Sequence, residues 1–211
     1  MMHDCVIIGA GPTGMAAATL LAARGADVVV LDEQAAPGGQ IWRGIEGADA
    51  GLRAILGAEY AAGAAATAAF RASFARYRPG QSVWNITPEL DVWTTRADGA
   101  GHLRGRTVLL AVGALERPVP IPGWTLLGAM GAGGVQILLK SANLLPRNLV
   151  LAGQGPLLYL LAAQCIAAGA PPAAILDTAS PADFWPALRL LRPAALAMLH
   201  KGLLLQGAIR A

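Results

Sequence analysis

The sequence predicts an α/β protein with parallel sheets, and three observations lead there. Short, continuous apolar runs rich in Val, Ile and Leu alternate with Ala/Leu-rich segments long enough to be helices, as a sheet buried on both faces and joined by crossover helices requires. A glycine cluster, Gly9-Ala10-Gly11-Pro12-Thr13-Gly14, separates the first run from the first helix. A second cluster, Gly153-Gln154-Gly155-Pro156, repeats that arrangement about 144 residues further on, counted from Gly9 to Gly153.

Taken in order, Asp4 to Ile8 is the first strand, Met15 to Arg24 a helix stopped by Gly25, and Val28 to Leu31 the second strand. Residues 4 to 32 therefore spell a βαβ unit. After the turn Pro37-Gly38-Gly39, apolar positions from Leu52 to Tyr77 recur at mostly helical spacing and predict one or two surface helices interrupted at Gly63. Val83 to Ile86 and Leu90 to Thr95 read as short strands, Asp98-Gly99-Ala100-Gly101 as a turn, and Thr107 to Val112 as another buried strand. Pro118, Pro120 and Pro122 stiffen an extended connection. The second βαβ pattern comprises a strand from Leu149 to Ala152, a helix from Leu157 to Ala168 and a strand from Ala174 to Asp177, and the tail from Phe184 to Ala211 is helical in character. The expected architecture is two nested dinucleotide-binding (Rossmann-like) folds with a small β-rich element. Residues 1–121 form the first domain, 122–146 a crossover and 147–211 a partial second domain, the second fold being incomplete.

Composition narrows the function classes. The 211 residues are 55% apolar with a mean hydropathy of +0.50, yet Gly, Pro or charge breaks every apolar stretch well short of the roughly 20 residues a membrane helix needs. No transmembrane segment is expected. The opening Met1-Met2-His3-Asp4-Cys5 lacks the basic region of a secretion signal, so the expected location is cytoplasmic. Cys5 and Cys165 are far apart and form no Cys-x-x-Cys pair, which points to core packing. The net charge of +3 is spread along the chain without a basic stripe, so nucleic acid is not an expected partner. His3, His102 and His200 are isolated, and no metal site or catalytic acid, base or nucleophile can be assembled from the sequence.

The chemistry lies in the first glycine cluster. Gly9-x-Gly11-x-x-Gly14 follows a strand, opens a helix, and is followed 18 residues after Gly14 by Asp32 at the end of the next strand. In such a unit Gly9 permits the tight turn, Gly11 lets the backbone approach a pyrophosphate, and Gly14 allows close packing of helix on strand. The start of the helix, with Pro12 and Thr13, attracts the phosphate charge. Asp32 can accept hydrogen bonds from ribose hydroxyls, with Glu33 the adjacent alternative.

The segment Asp32-Glu33-Gln34-Ala35-Ala36-Pro37-Gly38-Gly39-Gln40-Ile41-Trp42-Arg43 resembles the "DEQ…PGGQIYR" stretch of one flavoprotein family. That family includes the alpha subunits of opine oxidases, hydrogen cyanide synthase and dye-linked proline or hydroxyproline dehydrogenases, and it is related to part of the sarcosine oxidase alpha subunit. Trp42 stands where the family has Tyr. The likeness continues through Ala111-Val112-Gly113-Ala114-Leu115-Glu116-Arg117-Pro118-Val119-Pro120-Ile121-Pro122-Gly123-Trp124, through Gln136 to Lys140, and through Ala152 to Leu158. It implies FAD in the first fold, with Gly38, Gly39, Gln40 and Arg43 closing over the pyrophosphate and flavin side; the alternatives are a plain turn and a surface charge. Paired glycines permit a close backbone approach and an arginine fork suits phosphate. Val83 resembles the strand residue that meets adenine in related flavoproteins, although a lone Val is also ordinary core. Gly113 sits where such chains cross near the flavin, and Val112 replaces the family's Thr.

The second fold resembles the family's inserted NAD-type domain. Gly153 and Gly155 are present, Leu158 takes the third glycine's place, and Asp177 stands in the ribose position with no arginine after it, so NAD fits better than NADP. Two readings stay open here: a bound NAD or other ADP-containing nucleotide, and a purely structural role. The resemblance further implies that the partner is a second flavoprotein subunit, through which a small amino- or imino-acid-type substrate is oxidised. It also implies a late return strand to the FAD domain, which nothing after Asp177 matches.

Overall fold

A computed structural model of the chain describes residues 2–117, 119–180, 182, 186 and 196–210. The chain divides into two compact units, Met1–Leu115 and Glu116–Ala211.

The first unit runs β1 (Met2–Ile8), α1 (Pro12–Ala22), β2 (Val28–Asp32), α2 (Ala50–Leu56), α3 (Ala58–Ala61), α4 (Gly63–Arg71), β3 (Arg76–Pro79), β4 (Ser82–Ile86), β5 (Asp91–Arg96) and β6 (Gly99–Leu110). Its six strands lie in the order β3-β2-β1-β6-β5-β4. β1 is parallel to both β2 and β6, with Ile7 opposite Val30 and Leu109. All five residues of β2 are buried, the mark of a strand covered on both faces. Because successive side chains alternate between faces, Cys5, Ile7, Val28 and Val30 pack with Met15 and Ala18 of α1 and Phe70 of α4. Val6, Ile8, Val29 and Leu31 take the other face and meet Val92 of β5 and Leu103 of β6. Each fully buried Val or Leu here contributes about 1.5–3 kcal/mol.

The β-rich element is continuous with this sheet. β6 pairs antiparallel with β5 from Gly99 to Arg104 and parallel with β1 from Arg104 to Leu110. One strand thus serves both the hairpin and the parallel core, and it brings Val92 and Leu103 onto the back of β1 and β2.

Several local expectations need correction. The helical stretch expected to reach Tyr77 ends at Arg71, and Tyr77 lies in the edge strand β3, paired with Val30. Tyr77 packs edge-on against Phe70, so a single apolar spacing runs through a helix and on into the strand after it. The expected interruption at Gly63 is present: α3 ends at Ala61 and α4 starts at Gly63, where a Cβ would lie 2.4 Å from the Trp42 ring. α4 is a surface helix that buries one face, with Phe70 2% exposed and Ala65, Ala68, Ala69 and Arg71 exposed. The expected turn at Asp98 to Gly101 is tighter, because Gly99 and Gly101 already pair with Arg96 and Thr94. The strand expected to reach Val112 ends at Leu110, although the Ala111 N–H still donates to the Ile8 carbonyl at 2.8 Å. α1 begins at Pro12 rather than Met15, since Pro is favoured at a helix's first position.

The second unit contains α5 (Ala132–Ala142), β7 (Val150–Gly153), α6 (Pro156–Ala167), β8 (Ala174–Asp177) and α7 (Leu196–Arg210). β7 and β8 pair in parallel, Gly153 opposite Asp177. Val135, Leu151, Leu158, Leu161, Ala162 and Cys165 form the core, and Ile209 of α7 packs against it. Gly131 is the N-cap of α5, and Gly133 N–H in its first turn donates to the Glu116 carboxylate at 2.9 Å. Pro118, Phe184, Trp185 and residues 187–195 of the expected helical tail lie outside the described residues. Among the described residues no helix is long and apolar enough to cross a membrane.

Candidate functional site

The first glycine cluster forms a turn locked on both sides. Gly9 N–H donates to the Leu31 carbonyl at 2.7 Å, tying the end of β1 to the end of β2, and the chain enters α1 with Gly11 as its N-cap and Pro12 and Thr13 in its first turn. An ideal Cβ on Gly14 would lie 1.9 Å from the Gly9 carbonyl oxygen, so this position is glycine because the helix touches the turn. No side chain caps α1 and no acid lies in its first turn, which leaves the positive end of the helix to an anion.

The segment after β2 folds back onto this turn. Gly38 N–H donates to the Ala10 carbonyl at 2.9 Å, and a Cβ on Gly39 would lie 2.9 Å from Gly11 Cα. Gly38 and Gly39 have φ of +124° and +57°, conformations that L side chains adopt at a cost. Asp32 is 8% exposed. One of its carboxylate oxygens accepts from Ala10 N–H at 2.5 Å and the other from Gln34 N–H at 2.7 Å. Glu33, the alternative, is exposed and accepts from the Gln34 side chain at 3.1 Å. The geometry thus aims Asp32, not Glu33, at the glycine turn. Burial pushes the Tyr77 phenol well above its usual range, and the nearby Asp32 carboxylate adds to it.

Arg43 donates through Nη1 to Gln34 Oε1 at 3.0 Å, and through Nε and Nη2 to Gln40 Oε1 at 3.3 and 3.1 Å. Tyr60 donates its hydroxyl to the Arg43 carbonyl, and the Trp42 indole N–H donates to the Glu59 carbonyl, both at 2.9 Å. These bonds fasten the glycine-rich segment to α3. Gln81 N–H donates to the Asp32 carbonyl at 2.9 Å, which places β4 beside the end of β2. Val83 itself is half-buried against the back-face core and pairs with Thr94. Gly113 has φ +72° and no described neighbour within 4 Å of an ideal Cβ.

The structure therefore gathers Gly9, Gly11, Pro12, Thr13, Gly14, Asp32, Gly38 and Gly39 into one cradle, with Gln40 and Arg43 on its flanking segment, and sets the half-buried Val83 side chain against the back-face core. Sequence reasoning missed Ala10, Gln34, Trp42 and Tyr60. Ala10 is a variable position of the motif whose backbone alone acts, Gln34 acts through its own backbone N–H on Asp32 and its side chain on Arg43, and Trp42 and Tyr60 act through contacts 17 residues apart in sequence. A cradle with bare backbone, an uncapped helix start and a buried carboxylate fits the ADP half of a dinucleotide.

In the second unit Gly153, Gly155 and Asp177 occupy the equivalent positions of β7, α6 and β8. α6 also starts at Pro156 without a side-chain cap. Leu158 is 5% exposed and part of the core, where the first fold has Gly14 against its turn. Asp177 accepts from the Tyr159 hydroxyl and from Ala179 N–H at 2.9 Å. These two donors, Tyr159 first, hold its carboxyl below the usual range against a small opposing effect of burial.

A βαβ unit with this turn and this carboxylate defines a dinucleotide-binding fold. Residues 3–164 match the pyridine nucleotide-disulphide oxidoreductase family, and the chain belongs to that family. It is 47% identical over 196 residues to an opine oxidase subunit of Rhizobium meliloti, a match covering 92% of this chain and 43% of that protein. It is 38% identical over 173 residues to the HcnB subunit of hydrogen cyanide synthase from Pseudomonas aeruginosa, covering 78% and 36%. The solved L-proline dehydrogenase of P. horikoshii shares the fold, with a TM-score of 0.65 at 18% identity over 83% of this chain and 36% of that one. The chain spans less than half the length of these relatives. The resemblance carried by the Asp32 to Arg43 and Ala111 to Trp124 segments is borne out.

Proposed function

We propose that this chain is the FAD-binding part of an oxidoreductase subunit. It passes electrons from the oxidation of an amino- or imino-acid-type substrate within a multi-subunit dehydrogenase or oxidase, and its partner there is a second flavoprotein subunit. The observation that carries the reading is the Asp32 carboxylate, held between Ala10 N–H and Gln34 N–H beside the Gly11–Gly39 contact. Two backbone bonds leave carboxylate lone pairs for ribose hydroxyls. Gly11 and Gly39 keep the approach to the backbone bare for a pyrophosphate, and the start of α1 offsets its charge. Arg43, braced by Gln34 and Gln40, presents a planar cation beside the cradle. The relatives named as oxidase and synthase subunits support both the electron-transfer role and the partner. When bound, FAD supplies the two-electron chemistry, while the chain positions it and shields it from water.

The test is the visible spectrum of the purified chain, with the released ligand identified after denaturation. Absorption bands at roughly 375 and 450 nm, which belong to the flavin itself, together with released FAD, are expected. A folded, colourless protein that takes up no added FAD overturns the reading.

A further inference from the structure

The two βαβ units of this chain differ where a ribose would be held. At the first, both oxygens of Asp32 are bonded to backbone N–H groups only. At the second, Asp177 keeps the matching bond from the residue two further on, Ala179 N–H to Oδ1, but Oδ2 is taken by the Tyr159 hydroxyl. Tyr159 stands in the first turn of α6, on the helix whose start would face the phosphates. The phosphate side of this unit is open among the described residues: a Cβ on Gly153 or Gly155 would meet nothing within 4 Å, and no side chain caps α6. A phenol hydroxyl donating to the carboxylate makes the bond that a ribose hydroxyl makes in an occupied fold of this kind.

We propose that Tyr159 weakens the hold of the second nucleotide fold on ADP-ribose ligands by occupying the Asp177 carboxylate that would receive the ribose. The fold keeps its first two glycines, helix start and acid, and its own side chain competes with a ligand at the exposed ribose end. A ligand has to displace the Tyr159–Asp177 bond before it gains its own, and the net worth of such a bond sets the penalty at about 3- to 10-fold in affinity. This inference concerns the second unit and does not rest on the flavin reading of the first.

The test is calorimetric titration of the full chain, loaded with FAD, using ADP-ribose and NAD as probes. The proteins compared are wild type, Tyr159→Phe and the double variant Tyr159→Phe/Asp177→Asn. Tyr159→Phe keeps the ring and its packing, and circular dichroism verifies that it folds. The expected result is an affinity about 3- to 10-fold higher in Tyr159→Phe than in wild type, with the gain abolished in the double variant. Equal affinities of wild type and Tyr159→Phe, binding by neither, or a gain that survives Asp177→Asn overturns the proposal. Failure of the flavin reading shows separately, as absence of FAD from the wild-type chain; the Asp177→Asn comparison still assigns any ADP-ribose binding to one fold or the other.

Discussion

Replacing Gly14 by Ala puts a methyl group where the structure has no room. The new Cβ would lie 1.9 Å from the Gly9 carbonyl oxygen, 3.0 Å from the Gly9 carbonyl carbon and 3.4 Å from Ala111 Cβ. The first two are backbone atoms, and Gly9 is tied to Leu31, so they cannot swing aside. To reach ordinary contact distance α1 must withdraw by about 1.5 Å, which lifts Met15 and Ala18 off Ile7 and Val30. Overpacking of this kind costs about 1–3 kcal/mol, against a gain of about 1 kcal/mol in helix propensity for Gly to Ala. The lost contacts of Met15 and Ala18 add to the cost, so the expected net loss is about 2 kcal/mol. Gly11→Ala is the control: its Cβ would meet only Gly39 Cα, at 3.8 Å, and its φ of −73° suits alanine. With FAD removed from both proteins, stability should then stay within about 0.5 kcal/mol of wild type, while the FAD content of the untreated variant falls because the methyl stands where the pyrophosphate approaches. Urea unfolding followed by circular dichroism reads the first quantity and flavin absorbance the second. A Gly14→Ala protein as stable as Gly11→Ala refutes the packing argument.

Two further outcomes follow from the base of the first unit and from the two buried thiols, one in each unit. Hydrogen bonds from Arg76 and then His3 hold the Asp27 carboxyl below its usual range, with burial opposing weakly. A carboxylate depressed in the folded state contributes stability above its unfolded value of about 3.9, and that contribution disappears as pH falls through the folded value. Arg76→Gln should therefore be less stable than wild type above pH ~4 and converge with it at lower pH; parallel unfolding curves from pH ~2 to ~6 check this, and a difference independent of pH refutes it. Cys5 and Cys165 are 6% and 0% exposed, and burial raises both thiols. An aromatic disulfide reagent at pH ~8 should leave both unmodified in the native chain and label both after denaturation, so rapid labelling of the native protein would contradict the core placement.

Much of this protein is legible in its sequence because the relevant physics is local. A run such as Val28 to Leu31 has one stable fate, a strand buried on both faces, and Gly9-x-Gly11-x-x-Gly14 between a strand and a helix follows from the steric needs of that turn. Both cysteines fall in the core for the same reason their spacing suggested. β3 was hidden because Arg76 to Pro79 is a short, charged edge strand whose identity depends on pairing with β2, 47 residues earlier by the Tyr77–Val30 register. The double use of β6 was hidden too, since nothing in twelve consecutive residues states which half will meet β5 and which β1.

At the site the division is sharper. The sequence alone determined the fold class, the position of the cradle and the residue types within it, because glycine and carboxylate are required there by covalent geometry and charge. Between Asp32 and Glu33 it could not choose; in the folded chain the tertiary turn aims the Ala10 N–H at the Asp32 carboxylate and not at that of Glu33. Likewise Asp177 carries the same acid in the same motif position as Asp32, and only the folded chain brings the Tyr159 hydroxyl onto it. A motif specifies which groups are present, whereas hydrogen bonds to those groups come from whatever the packing sets beside them.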